Sequence, residues 1–253
     1  MPLELVTIPC LTDNYAFLLH NSDRGDTLLV DAPEAAPIQA ALDTLGWTLT
    51  DILLTHHHDD HVQALAPLRG NARVMGAATD AHRLPALDLA LSEGDALTLC
   101  GAQAHVLDVS GHTIGHIAVH VPDADVVFTA DSLMALGCGR LFEGTPEMMW
   151  ASLCKLRALP PQTRVCSGHE YTQTNAAFAL TIEPANADLI SRVDDISKMR
   201  AEGHATVPSF LSEEIRTNPF LRADTPELQA AVGMSDTDPV AVFAHVRKQR
   251  DIF

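Results

Sequence analysis

The sequence predicts an α/β fold with more than one sheet layer, followed by a mainly helical C-terminal part. Three observations predict it. Short apolar runs rich in Val, Ile and Leu dominate the first two thirds of the 253 residues. Helical patterns intervene between those runs, and many strands with interspersed helices argue for a layered α/β architecture. Beyond about residue 170 the strand-like runs vanish and helical spacing remains.

The strand candidates, in order, are 4–9, 16–20, 27–31, 51–55, 73–76, 104–109, 117–121, 125–130 and 163–167. Each is short and either alternating or continuously apolar, as half-buried or fully buried strands are. "PDAD" at 122–125 reads as the turn between two of them. Helices are expected at about 36–45, 60–68 and 146–158. The last opens with Thr145 as N-cap and Pro146 at the first helical position. In the tail, 186–203 carries apolar residues at helical spacing and closes on Gly203. "TPELQAAVG" and "DPVAVFAHVRKQ" open on capping residues and read as two more helices. The chain has no repeat, low-complexity tract or flexible linker.

Composition narrows the function classes. With 47% apolar residues the chain can bury a sizeable core, and its length suits one or two domains. No run approaches 18 apolar residues, so no membrane span is expected. The opening "MPLELVTIPCLTDNY" lacks the basic start and apolar core of a signal peptide. Five cysteines, an odd number without a Cys-x-x-Cys, suit free thiols in a reducing cytoplasm. The formal net charge of −17 argues against a nucleic-acid partner. Against that trend, "VRKQRDIF" gathers Arg247, Lys248 and Arg250. Taken alone, such cations complement a helix C-terminus more often than they bind an anion.

The chemistry-bearing stretch is "THHHDDH" at 55–61, directly after the apolar "DILL". Imidazole and carboxylate are ligands for borderline and hard divalent ions. In an extended segment His56 and His58 point one way and His57 the other. Asp60 and His61 then open the next helix and turn back toward the same strand end. Four donors crowded into one turn, with more to come from other strand ends, exceed one closed tetrahedral site and suit two adjacent metals. Further donors follow other apolar strands: His112 in "VLDVSGHTIGH", Asp131 in "VVFTADSL" and His169 in "TRVCSGHEY". Each alone is weak, because a lone histidine is more often a structural hydrogen-bonder. A ligand at each of four strand ends is a joint signal for a dinuclear site.

The order His-x-His-x-Asp-His, then His, Asp and His, resembles the metallo-β-lactamase superfamily. Together with "GCGRLFEGT", "SGHEYT", "TVPS" and "NPFLR" it resembles the glyoxalase II family, the hydroxyacylglutathione hydrolases, over nearly the whole chain. The resemblance implies an αββα sandwich for residues 1–170 and a helical substrate-binding domain for 171–253. It implies two divalent metal ions per chain, zinc first, with iron and manganese as alternatives. His56, His58 and His112 would hold one ion, Asp60, His61 and His169 the other, and Asp131 would bridge them. His57, Asp59 and His116 would orient ligands rather than bind metal. Cys138 is expected to be a structural thiol.

The same resemblance implies the reaction. A hydroxide held between the metals, next to Asp131 and Asp60, would attack the thioester carbonyl of an S-(2-hydroxyacyl)glutathione, S-D-lactoylglutathione in particular. Such an enzyme serves methylglyoxal detoxification as a cytoplasmic monomer. Tyr171, Arg140, Phe142, Arg247 and Arg250 fall on the glutathione-holding positions, where guanidinium groups suit the carboxylates of the carrier. The sequence departs from the usual pattern at Phe142, where Tyr is common, at Arg140 and Arg250, where Lys is common, and at Gln63-Ala64, where a Gly pair is usual. A persulfide dioxygenase-like mononuclear iron enzyme, another hydrolase of this fold and a non-catalytic metal scaffold are the rival readings. The long helical tail with "NPFLR" weighs against the first, and the complete ligand set against the last.

Overall fold

A computed structural model describes residues 3–253. The chain divides into two compact units, one made of residues up to Asp108 with Ile114–Ala130, the other of Val109–Thr113 with Asp131–Phe253.

The first unit begins with β1 (Leu3–Cys10), β2 (Asn14–Asn21) and β3 (Asp26–Val30), then α1 (Ala35–Leu45) and β4 (Asp51–Leu54). The one-turn helices α2 (Asp59–Val62) and α3 (Leu65–Leu68), β5 (Arg73–Ala77) and β6 (Leu89–Leu91) follow. β1, β2 and β3 pair antiparallel, whereas β3, β4, β5 and β6 pair parallel, giving a mixed sheet in chain order. Parallel neighbours need crossovers, and α1 and then α2–α3 supply them. One sheet face, with Leu18, Leu29, Ile52, Leu54 and Val74, packs on Ile38 and Leu42 of α1 and Leu65 and Leu68 of α3. β4 is buried along its whole length, which is why Ile52-Leu53-Leu54 reads as a continuous apolar run, while Asp51 is paired with Arg73. The strands β7 (Ala96–Leu99), β8 (Ala102–Asp108), β9 (Ile117–Val121) and β10 (Val126–Ala130) form an antiparallel meander. Side chains alternate across β2, so Phe17 leaves the helix-covered face and meets Phe128 of β10, ring centroids 5.9 Å apart. The meander therefore covers the other face of the sheet.

One expected element differs. The helix read over 60–68 breaks in two, because Ala64 N–H bonds to Ala32 O (2.9 Å) instead of continuing the helix. The Gln63 amide donates to Pro33 O at 2.9 Å, so the departure at Gln63 is absorbed by a bond to the end of β3. β6 and β7, with three and four residues, are too short for their alternation to stand out in the sequence.

The second unit contains the hairpin β11 (Leu133–Met134) and β12 (Gly137–Cys138), then α4 (Pro146–Arg157) and β13 (Arg164–Ser167). Beyond these lie α5 (Thr172–Ile182), α6 (Ala187–Ala201), β14 (Ser209–Phe210), α7 (Leu211–Thr217), α8 (Pro226–Ala231) and α9 (Pro239–Ile252). Thr145, Asn186 and Thr225 cap α4, α6 and α8 through their side chains. Strand structure does not end at 170: β14 pairs antiparallel with β13. Two helices escape a sequence reading. In α5 the polar Thr172 and Asn175 are buried beside the apolar residues, which blurs any stripe. In α7 the buried Glu214 binds Leu136 N at 2.8 Å and pairs with Arg192. Among the described residues no helix is long and apolar enough to cross a membrane.

Candidate metal centre

In the first unit the donors stand on the turn from β4 into α2. His61 N–H bonds to His58 O (2.9 Å), and Ala32 N–H to His61 O (2.7 Å), fastening the turn to the end of β3. His56 is fully buried, and its Nε2 lies 3.1 Å from His58 Nδ1. Two basic imidazole nitrogens at that separation suit a shared cation. Asp60 Oδ2 lies 3.8 Å from His61 Nε2 and accepts from Asn14 Nδ2 at 3.0 Å. The donor atoms of His56 and His58, of His56 and His61, and of Asp60 and His61 lie within 4.8 Å of one another.

His57, beyond the end of β4 like its neighbours, is held by a different partner. Its Nδ1 lies 2.9 Å from Oδ2 of the buried Asp80. Asp80 is also bound by Arg83, which donates to Ile114 O at 2.7 Å. His116 stacks on His56, ring centroids 4.6 Å apart. Asp59 is exposed in the first turn of α2.

In the second unit Asp131 is the focus. Its Oδ2 lies 3.5 Å from His112 Nε2 and 3.3 Å from His169 Nε2, a carboxylate between two imidazoles. The carbonyl of Arg140 accepts from His112 Nδ1 at 2.8 Å, which leaves the lone pair of the neutral ring on Nε2. The "GCGRLFEG" segment lies directly on the 109–113 segment, with Phe142 N bonded to His112 O (3.2 Å) and Gly144 N to Gly111 O (3.0 Å). That approach requires glycine: a Cβ on Gly139 would stand 1.9 Å from Asp131 O, and one on Gly144 would stand 2.6 Å from Gly111 O.

The carrier-binding candidates also belong to this unit. Tyr171 stacks on His169 at 4.6 Å. Phe142, 61% exposed, has its ring 5.2 Å from that of His112 and 6.0 Å from the Arg140 guanidinium. Arg247 is only 5% exposed. It donates to Cys138 O (3.0 Å), pairs with Asp251 (2.9 Å) and lies over the Phe220 ring. Arg140 reaches the same carboxylate at 3.8 Å. Arg250 donates to Asn175 Oδ1 (3.3 Å) and lies over the rings of Phe178 and Phe253. Burial, then the charges of Arg247 and Arg140, depress its pKa, as expected where cations crowd together. Burial pushes the Cys138 thiol up to about 11, so it is neutral at physiological pH, as a structural thiol should be. Sequence reasoning missed Asp31, Asn14, Asp80, Asn175 and Asp251. Of these only Asp31 carries a readable signal, since it follows the apolar run "TLLV" as the metal-ligand candidates follow theirs.

Comparison with known proteins adds the following. The metallo-beta-lactamase superfamily model matches residues 12–169, and the hydroxyacylglutathione hydrolase C-terminus model matches 170–253. A hydroxyacylglutathione hydrolase of Ruegeria pomeroyi is 63% identical over 255 residues, covering 100% of both chains. The structure of ETHE1 from Myxococcus xanthus superimposes with a TM-score of 0.68 at 24% identity, over 98% of this chain and 90% of that one. TTHA1623 in a di-iron-bound form gives 0.62 at 28% identity, over 86% of this chain and 100% of that one.

Proposed function

The chain belongs to the hydroxyacylglutathione hydrolases, thioester hydrolases of the metallo-β-lactamase fold with a helical C-terminal domain, and on that premise we propose how its residues divide the work. The His and Asp clusters fit a metal site of this fold. His56, His58 and His112 would hold one divalent ion and Asp60, His61 and His169 a second, with Asp131 as a further donor to both. Zinc is the first choice, with iron and manganese as alternatives that accept the same N/O donors. The di-iron form of TTHA1623 supports a two-ion occupancy.

Bound ions would lower the pKa of a water and polarise the thioester carbonyl. The protein's own groups do the rest. Asn14 holds one carboxylate oxygen of Asp60, and the Arg140 carbonyl holds His112 in the required tautomer. Tyr171, Phe142 and the arginines at 140, 247 and 250 receive the glutathione carrier. A thiolate leaves without a strong general acid, so none is needed at the sulfur.

The substrate is a glutathione thioester, and we assign it as S-D-lactoylglutathione, hydrolysed to glutathione and D-lactate. The observation that carries the carrier assignment is the gathering of Arg140, Arg247 and Arg250 around Asp251 and aromatic faces in a chain of net charge −17. Residues 1–170 form the catalytic domain and 171–253 the substrate-binding domain. Five free thiols suit a reducing compartment, and we read the protein as a cytoplasmic monomer.

Elemental analysis joined to a hydrolysis assay tests the reading. Two metals per chain and a lactoylglutathione efficiency far above that of lactoyl-coenzyme A are expected. Equal efficiencies would overturn the glutathione assignment while leaving the hydrolase intact.

A further inference from the structure

We propose that Asp31 is a positioning residue that sets the tautomers of two imidazoles at once, His61 directly and His56 through the hydroxyl of Thr55. The proposal rests on the metal reading above but concerns protons inside the first unit alone. Asp31 directly follows β3 with φ +59°, a left-handed conformation that Asp tolerates, and is 2% exposed. Its Oδ1 accepts from Thr55 N–H at 2.9 Å. Its Oδ2 accepts from Thr55 Oγ1 at 2.9 Å and lies 2.7 Å from His61 Nδ1.

The donor arithmetic fixes the protons. An ionised carboxylate only accepts, so the proton between Asp31 and His61 sits on Nδ1 of the ring. A hydroxyl has one proton, and Thr55 gives it to Asp31. Thr55 Oγ1 therefore accepts from His56 Nδ1, which lies 3.0 Å away. Both rings carry hydrogen on Nδ1 and offer Nε2 as a lone pair. Those are the nitrogens facing the other donors, His56 Nε2 toward His58 and His61 Nε2 toward Asp60. One carboxylate thus prepares a ligand from each of the two proposed ion sites.

Asparagine is the informative substitution because it keeps the shape. If its oxygen continues to accept from Thr55 N–H, its NH₂ faces Thr55 Oγ1 and His61 Nδ1, and both must accept. The Thr55 proton then turns toward His56 Nδ1. Both imidazoles invert to the Nε2–H form, whose lone pair lies on Nδ1, away from the other donors, so that Nε2 has none for a metal. A role confined to fastening the β4 turn would not move these protons.

The test uses the full chain, stripped with chelator, ¹⁵N-labelled and titrated with zinc alone. Long-range ¹H–¹⁵N spectra of the metal-free protein should show His56 and His61 as Nδ1–H tautomers. Asp31→Asn should convert both and weaken zinc binding on the order of 10–100-fold. Thr55→Val should convert only His56, and Thr55→Ser should restore the wild-type tautomer. A folded Asp31→Asn chain with His61 still Nδ1–H and wild-type zinc affinity would overturn the proposal. If Asp31→Asn does not fold, the Thr55 pair decides: His56 unchanged in Thr55→Val removes the relay. A wild-type chain that binds no zinc would overturn the metal reading instead, and the tautomer spectra would still judge Asp31.

Discussion

The histidine turn of the first unit and the arginine cluster of the second both bury polar groups, by opposite means. Around the turn, short side chains meet carboxylates: Asp31 takes His61 and Thr55, and Asp80 takes His57. These bonds are directional and settle which nitrogen carries each proton. In the cluster, Arg250 is held by an amide oxygen and two aromatic faces, and Arg247 by a carbonyl, one aromatic face and Asp251. An aromatic face holds a cation without neutralising it. The contrast fits the partners proposed for each region. A metal needs neutral rings with a fixed lone pair, whereas an anionic carrier needs net positive charge, here three arginines around the one carboxylate of Asp251.

The largest test of this contrast is Asp131→Ala, which removes the carboxylate lying between His112 and His169. Hydrolysis should be abolished and metal content should fall well below two per chain. Two fully occupied ions in that variant would break the assignment.

Next comes Arg247→Ala, which should cost stability because this arginine is buried and bound to Cys138 O. A hydrogen bond from a charged group contributes about 1.5–3 kcal/mol. The denaturation midpoint should fall accordingly, with KM rising as well. Wild-type stability with raised KM alone would show that burial adds nothing here.

The smallest effect is expected for Arg250→Ala. This half-buried cation should contact the carrier equally in ground and transition states, so KM should rise a few-fold with kcat nearly unchanged. The difference should shrink as salt is added. A collapsed kcat with normal KM would put Arg250 at the chemistry and erase the division between the two regions.

Much of the histidine turn was legible because its donors are local in sequence, and because each further donor follows an apolar strand. The supporting groups were not legible, since their partners come from far along the chain. Asp31 follows "TLLV" by the same rule, but only folding brings Thr55 and His61 to it. Asp251 pairs with Arg247 one helical turn away, but only folding brings Arg140 to it. The split of the helix expected over 60–68 has the same origin: Ala32 O and Pro33 O draw Ala64 N and the Gln63 amide out of any local pattern. Arg247 was readable as a cation but not as an interior one, because composition carries no burial.

The close approach at Gly139 sets a rule for anyone reshaping this enzyme's substrate range. Every other residue type at 139 would bring the same β-carbon, and that atom alone collides with Asp131 O. An alanine there stands in for all larger side chains, and its failure would say nothing about chemistry at that residue. A randomised library spends its diversity well at Phe142 and Tyr171, whose rings lie partly in solvent, and wastes it at 139. Silence at 139 would be the mark of a backbone with no room to vary rather than of a reacting group.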